Sequence, residues 1–451
     1  MFFCSNISVV RNVLILTALV VPSLASAADV STLKDSVAYA LEHNRMLAVS
    51  SNSVDQAEAE VDMATGRMLP RVDVSTAFVR TNSPLGAFGA KVQQQRVTAA
   101  DFSPATINQP GYVNNYQSRL GLTMPIFSGG ANWAARAGAR NQADASSFEY
   151  NFHKQQVIYQ TIAAYAHSRA ALAQVNAREH AVKAAEKRWQ DAEAMKKRGM
   201  AIKSDVMDAH VHVLRSQVAL SEAQSAYQAS LESLRLILGM EEGSRLNAAS
   251  EPALLFVPEP TDQMLEMYDQ RRADLLALEN RLDAAGNRRL QHQASYLPRV
   301  DFMAAQEWNN EKYGLRNRNN MIGVNVTMNL FSGGEDLAKV RAATAEQVSI
   351  EYQLADKRQQ VANEIRQAMR GLRMANQRFE SESEALKQTT ESLRIKSLRH
   401  AQGLEKTSDL LDAQVNADAS EMALIQARYD LIIAKAALLL AAGTLDEEVV
   451  R

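Results

Sequence analysis

The chain has 451 residues, with 49 Lys and Arg against 51 Asp and Glu, and a formal net charge of −2. Its length allows several domains, but the balanced charge removes the electrostatic case for nucleic acid. Aromatic residues make up only 6% of it, and alanine is abundant outside the strands, a composition suited to long helices packed on small side chains.

The N-terminus reads as a secretory signal, residues 1–27. Arg11 supplies the positive charge, Val13–Val21 a short apolar run, and Ala25-Ser26-Ala27 an A-x-A cleavage site. The run is too short to be a spanning anchor. Cys4, the one cysteine, leaves with the signal. The mature chain then has no disulfide, no cysteine metal site and no lipid-bearing cysteine. No later segment is apolar enough to cross a membrane as a helix.

The mature chain says the same thing twice. Leu69–Asp73 (L-P-R-V-D) returns at Leu297–Asp301, Leu122–Gly130 (L-T-M-P-I-F-S-G-G) returns as Val326–Gly334, and Ser204–Ala209 returns as Ser408–Ala413. A repeat this long is a duplicated half-protein and not a solenoid unit. Residues 28–240 form the first half and 261–451 the second. Between them 241–260 is a linker, marked by Gly243, Pro252, Pro258 and Pro260, and it is expected to pack outside the main body.

In the first half, Leu33–Leu69 has a helical pattern with a break near Asn44, and Asp29 or Ser31 is placed to cap it. The second half opens with the corresponding stretch, Asp262–Leu297. Strands are predicted at about 71–82, 116–127, 299–310 and 319–331. Leu120, Leu122, Met124 and Ile126 share one face, with Gln117, Arg119, Gly121 and Thr123 on the other. Ile322, Val324, Val326, Met328 and Leu330 alternate with Gly323, Asn325, Thr327 and Asn329, and Val72, Val74, Thr76 and Phe78 make a third row. Val300, Phe302, Ala304 and Trp308 make a weaker fourth. Such strands fit a soluble hairpin, and they are also long enough to cross a bilayer when tilted. Gln117, Arg119 and Asn325 would then face a lumen. The repeat offset is 228 before the first loop and 204 after it, so that loop is 24 residues longer than its counterpart. Pro84, Gly86, Gly89, Pro104, Pro110 and Gly111 predict it irregular and exposed.

Long helices are predicted at about 131–198, 204–238, 335–402 and 408–441. No proline interrupts Gly130–Gly199 or Gly334–Gly403, two intervals of 69 positions each; a helix filling one is about 100 Å long. Val361, Ile365, Ala368, Leu372, Ala375 and Phe379 keep spacings of four and three. Leu410, Ala417, Leu424, Leu431 and Leu438 keep a strict seven, as do Val206, Val213, Leu220, Tyr227 and Leu234 in the first half. That period means helices packed lengthwise in a supercoil. F-S-G-G joins strand to helix: Gly129-Gly130 and Gly333-Gly334 permit unusual dihedrals, and Ser128 and Ser332 can cap the long helices. Gly199–Ser204 and Gly403–Ser408 turn each long helix back and so mark the far tip.

Four strands cannot close a barrel, and open edges are not viable in lipid. If the strands span a membrane, several chains share one barrel, and the bacterial outer membrane is the place for it. The P-R-V-D and F-S-G-G strand borders, the paired G-x4-S-D tip turns and the closing Gly443–Glu447 together resemble the TolC family of outer-membrane efflux proteins, over about Leu33 to Glu447. The resemblance implies a mainly α protein with β: a homotrimer sharing one twelve-stranded β-barrel, continuous with a periplasmic α-helical coiled-coil barrel and encircled by an equatorial belt. It implies contact with outer-membrane lipid, docking of a periplasmic adaptor and, through it, indirect coupling to an inner-membrane transporter. The lack of a lipid-bearing cysteine separates it from the family's lipoprotein branch. The chain stops soon after the last long helix, which predicts a thinner belt.

At the tip, Asp205 and Asp208 lie one helical turn apart, as do Asp409 and Asp412. One reading is capping, with Ser204 and Ser408 as N-caps and carboxylates favoured by the dipole. The other is a ring of carboxylates at the pore entrance. By resemblance Asp205, Asp409 and Asp412 match the family's acidic tip positions, with Gly199 and Gly403 at the turns. Some members latch the closed tip with an arginine where this chain has Glu405, so Lys203, Lys406 or Arg198 would have to supply the link. His210 and His212 are two apart on a helix and make a poor metal pair. Lys196-Lys197-Arg198 fits a solvated helix end or an adaptor contact. No nucleophile–base pair, phosphate loop or metal-ligand cluster appears, so no catalytic residue, cofactor or metal is assigned. The sequence therefore predicts a passive exit duct for tripartite efflux or type I secretion. The alternative is a periplasmic coiled-coil adaptor or scaffold, which would show one helical hairpin flanked by lipoyl-like strands.

Overall fold

A computed structural model describes residues 31–241, 246, 250–252 and 271–450. The predicted signal at 1–27, Asp29, most of the linker and residues 262–270 of the stretch predicted to open the second half lie outside them.

Helix α1 (Leu33–His43) is capped by Thr32, not by Asp29 or Ser31. Thr32 Oγ1 accepts from the Asp35 N–H at 3.0 Å, and the Asp35 carboxylate accepts from the Thr32 N–H at 3.3 Å. This reciprocal pair satisfies two otherwise orphaned donors, which neither Asp29 nor Ser31 is spaced to do. Asn44 ends α1 and begins α2 (Arg45–Gly66), its side-chain oxygen accepting from Met46 and Leu47 N–H at 2.9 and 3.3 Å.

Strands β1 (Arg71–Thr81), β2 (Val113–Ser128), β3 (Arg299–Asn310) and β4 (Arg318–Thr327) form one antiparallel sheet in chain order. The register sets Val72, Leu122, Ala304 and Ile322 side by side, with Val74 beside Leu120. This apolar face is bare: Val74 is 76% and Ile322 77% exposed. The opposite face aligns Ser75, Arg119, Glu307 and Asn319. There Glu307 accepts from Gln117 at 3.3 Å and pairs with Arg119 at 3.3 Å, while Asn325 donates to Thr327 at 3.0 Å. Apolar residues outward and bonded polar residues inward are the two sides of a membrane barrel wall.

Two strand-region expectations change. The fourth strand ends at Thr327, short of 331, so Met328 and Leu330 leave the sheet. Thr327 pairs with Arg299, the first residue of β3, and no ladder partner remains beyond it. The first loop is not irregular: it folds into α3 (Pro84–Gln93), a 3-10 turn (Ala99–Phe102) and α4 (Pro104–Asn108). Pro84 and Pro104 stand at first helical positions after Ser83 and Ser103, where proline starts a helix and does not break one.

The remaining helices among the described residues are α5 (Ala131–Lys197), α6 (Lys203–Leu238), α7 (Ala273–Gln293), α8 (Glu335–Ala401) and α9 (Thr407–Ala441). Helices α5 and α8 have 67 residues each. Both α2 and α6 pack on α5, while α7 and α9 each touch α5 and α8. The heptad seams are the packed positions: Leu410, Ala417, Leu431, Leu438, Val213 and Leu234 are buried. No described helix is long and apolar enough to cross a membrane.

Two short helices therefore line each long one, and they meet end to end. At the first joint, Gly239 takes φ 74° after α6, and a Cβ there would collide with the His43 carbonyl. Asn44 Nδ2 donates to the Ile237 carbonyl at 2.7 Å. At the second, Gly443 takes φ 70°, and a Cβ would lie 2.8 Å from the Arg271 carbonyl. Arg272 Nη1 donates to the Ala441 carbonyl at 2.9 Å. Asn44 and Arg272 are repeat equivalents at the 228 offset, and Ile237 and Ala441 at the 204 offset. Arg272 is 2% exposed, and its charge is matched by Asp274 at 2.7 Å and Glu364 at 3.0 Å. Lys357 reaches the same Asp274 at 3.0 Å.

The main core lies at the first joint, where Val37, Ile158, Ile162, Tyr165, Leu234 and Ile432 are buried together. The described part of the linker is docked against this joint. Tyr165 donates to the Ser250 carbonyl at 2.8 Å, and Glu251 accepts from Arg169 at 2.8 Å and Tyr429 at 3.1 Å. Four breakers mark a linker, but they carry no information about the tyrosines and arginines waiting on the helices.

Arg272→Ala leaves Asp274 buried beside fewer cations, and is expected to cost about 3 kcal/mol, read as a lower trimer-dissociation temperature on unboiled gels. Burial alone would raise the Asp274 pKa, but hydrogen bonds and charge from Arg272 and Lys357 hold it below the usual carboxylate range. Its stabilisation is present above the ordinary carboxylate pKa and is lost as pH falls toward the lowered one. The dissociation temperature should thus drop below about pH 4, and that drop should be smaller in the Arg272→Ala protein. Equal drops in both proteins would remove the joint's ionic role.

Candidate functional site: junctions and tip turns

The two strand-to-helix junctions share one backbone. Gly129 and Gly130 have φ of 63° and 88°, and Gly333 and Gly334 66° and 88°. The N-caps are the glycines Gly130 and Gly334 themselves. Ser128 Oγ still accepts from the Asn132 N–H at 3.2 Å and Ser332 Oγ from the Asp336 N–H at 3.3 Å, so each serine caps from two residues earlier.

The tip turns also match each other. Gly199 N–H bonds the Lys196 carbonyl at 3.0 Å and Met200 N–H the Met195 carbonyl at 3.0 Å; Gly403 and Leu404 repeat this onto His400 and Arg399, both at 2.9 Å. With φ of 77° and 75° at the two glycines, both are Schellman turns. The next helices begin at Lys203 and Thr407 after N-caps Ile202 and Lys406. Ser204 and Ser408 therefore lie inside the first turn and are not N-caps. Asp205 takes over part of that work: its carboxylate accepts from the Ile202 N–H at 3.3 Å. Ile202 has no side-chain acceptor, so only this half of a capping box forms.

Asp205, Asp208, Glu405 and Ser408 line one cleft between the tips. Asp208 continues into a second cleft between α6 and α9 with Asp412, His212, Arg215 and Asp418. Asp409 lines neither cleft and offers its backbone carbonyl to Lys396 Nζ at 3.4 Å. Glu405 is paired within its own hairpin, to Arg399 at 2.9 Å. Among the described residues of one protomer no ion pair joins Asp205 to Lys203, Lys406 or Arg198. Lys196, Lys197 and Arg198 are exposed at the end of α5. The His210 ring meets the Trp189 ring tilted by 40°, with centroids 4.8 Å apart, and His212 Nδ1 lies 3.3 Å from Ser216 Oγ. No group of three His, Cys, Asp or Glu among the described residues is placed to hold a metal.

One link escapes sequence reasoning. Arg188 on α5 donates to Gln414 on α9, and Gln414 donates to Asp418. Gln414 is 6% exposed. Burial dominates both ends, lowering the Arg188 pKa and raising that of Asp418. This ties the first hairpin to the second. The repeat counterparts of Arg188 and Gln414 are Ser392 and His210, so the duplication carries no signal of it.

A bare apolar sheet with two free edges, opening into long paired helices, defines one share of a membrane barrel and tunnel. The chain belongs to the outer membrane efflux protein family, whose model matches residues 37–240 and 264–444. It is 26% identical over 349 residues to the alkaline protease secretion protein AprF of Pseudomonas aeruginosa, covering 74% of this chain and 71% of that one. It is 23% identical over 354 residues to outer membrane protein TolC of Escherichia coli, with the same coverage. The Campylobacter jejuni CmeC outer membrane channel superposes with a TM-score of 0.78 at 17% identity, over 92% of this chain and 86% of that one. The protein is accordingly an outer-membrane exit duct and not an enzyme. Its fold is that of trimers sharing a β-barrel continuous with a periplasmic helical barrel, and such channels work with periplasmic adaptors.

Around Gly199 and Gly403 there is open space for a Cβ, so a substitution there is opposed by φ alone. Gly199→Ala and Gly403→Ala should each cost about 1–2 kcal/mol of local stability, seen as faster amide exchange at the tips. Gly371→Ala, at an exposed position within α8, should instead stabilise by about 0.5–1 kcal/mol. Tip exchange unchanged by the first two variants would exclude strained turns.

Proposed function

We propose that this duct is a passive conduit with an acidic periplasmic entrance, opened by an adaptor that engages the tip turns. The observation carrying it is the sharing of one cleft by Asp205, Asp208 and Glu405 from both hairpins. Threefold repetition of Asp205, Asp208, Asp409 and Asp412 around a narrow pore concentrates negative charge there and attracts cations. The adaptor-facing surface is formed by Gly199, Ser204, Gly403, Ser408 and Glu405, with the Lys196–Arg198 cations beside it. The Arg188–Gln414 link takes the place of the family's latch arginine, because it is the buried polar bond between the two hairpins near the tip. AprF carries a protease-secretion name, and its similarity favours a type I secretion cargo over a small molecule.

Planar-bilayer recordings test the entrance. Asp409→Asn with Asp412→Asn should weaken cation selectivity and block by multivalent cations, and the same pair of changes at Asp205 and Asp208 should do likewise. Selectivity unchanged in both would remove the ring. Arg188→Ala should raise conductance severalfold by freeing α9 from α5, whereas Arg215→Ala should not; equal conductances would remove the latch. Recovery of the protein as a heat-modifiable trimer from outer-membrane fractions is expected, and recovery from the soluble periplasm would sink the duct itself.

A further inference from the structure

The 24 extra residues of the first loop fold back over one side of the sheet. The loop lies between β1 and β2, at the strand ends away from the helices, which is the outer mouth. Ala87 and Ala90 of α3 bury Val113. Gln94, 2% exposed, donates to the Asn115 side chain at 2.8 Å and to the Asn114 carbonyl at 2.7 Å. Asn115 in turn donates to Asn309 at 2.9 Å, and Asn319 donates to the Gln93 carbonyl at 3.3 Å. Every sheet side chain in these contacts has one parity. Val113 and Asn115 continue the row of Gln117 and Arg119; Asn309 stands opposite Gln117, and Asn319 opposite Glu307. That is the polar face. The apolar face beside it stays uncovered, with Phe78 54% exposed.

The loop is itself a folded unit. Lys91 pairs with Asp101 at 2.6 Å, Asp101 accepts from the Thr98 N–H at 2.8 Å, and the Phe88 and Phe102 rings meet edge to face at 5.5 Å. It reaches the far hairpin as well: Arg96 pairs with Glu311 at 2.9 Å.

From this we infer that the first loop is an inward-folded constriction that sets what size of molecule leaves the duct at its outer mouth. The inference rests on the polar face being the lumen wall. A helix with its side chains is about 10–12 Å across, and an eight-stranded barrel is already filled by side chains alone, with diameter growing roughly linearly in strand number. Three such loops in a twelve-stranded mouth leave little free bore. The second half makes no second plug, since only residues 311–317 join β3 to β4.

The mature chain lacks cysteine, so single thiols report cleanly. Thr123→Cys lies on the lumen face below the loop, and Ile322→Cys on the apolar face. Intact cells are treated from outside with a bulky, membrane-impermeant maleimide. Gln94→Ala in the Thr123→Cys protein should speed labelling about tenfold, as loss of two hydrogen bonds raises the open population. Replacing residues 82–111 by a short turn should speed it further. A rate unchanged by both alterations would overturn the constriction. Labelling at Ile322→Cys but never at Thr123→Cys, even with the loop shortened, would instead show the faces reversed and overturn the lumen assignment beneath it.

Discussion

A helix of 67 residues is the constraint on which this molecule rests. At 1.5 Å per residue it runs about 100 Å, and a long amphipathic helix keeps its shape only if its apolar stripe is covered along its length. A partner half as long covers half of it. The chain answers by placing two shorter helices in line and closing the seam between them with a glycine that carries no Cβ into the opposing carbonyl. Remove the seam and α5 would be bare near its middle. The distance from membrane sheet to tip is thus a consequence of packing two short helices end on along each long one, and the tip chemistry sits where that packing runs out.

The sheet imposes the second constraint. Among the described residues the outer sides of β1 and β4 have no ladder partner, and the apolar face has no cover. In water both would be liabilities; in lipid the face is an asset and the edges must be paired by other copies. Assembly and membrane insertion therefore solve the same problem. The early end of β4 fits this, because the residues after Thr327 have outrun β3 and have no strand of this sheet beside them.

Much of this is legible in the chain. Period-two alternation identifies the strands because one face is polar, and sevenfold spacing identifies the helices because each seam is continuous. Repeat arithmetic locates the tip. The tip caps mislead, because Ser-Asp after a break resembles an N-cap signature, while the Schellman geometry of Gly199 and Gly403 carries the chain two residues closer before the helix starts. The loop misleads because Pro84 and Pro104 are breakers by composition and initiators by position. Arg188–Gln414 and Arg272–Ala441 are out of reach. Each joins residues far apart in sequence, and no local pattern encodes such a pair.

The joints show what duplication preserves and what it leaves free. Asn44 and Arg272 occupy one repeat position and reach one equivalent carbonyl, so the hydrogen bond is the retained element. The chemistry around it diverged. A neutral amide at the first joint needs no counterion and sits against the large apolar core of Val37, Ile162 and Leu234. A buried guanidinium is tolerable only with opposite charge close by, and the second joint accordingly gathers Asp274, Glu364 and Lys357. Glu364 and Lys357 belong to α8, so this joint is tied to its long helix by charge as well as by the apolar packing of Leu275 with Leu354, Val361 and Ile365. The hold of α7 on α8 is therefore sensitive to protons and salt. That dependence falls on the half carrying Asp409, Asp412 and Glu405.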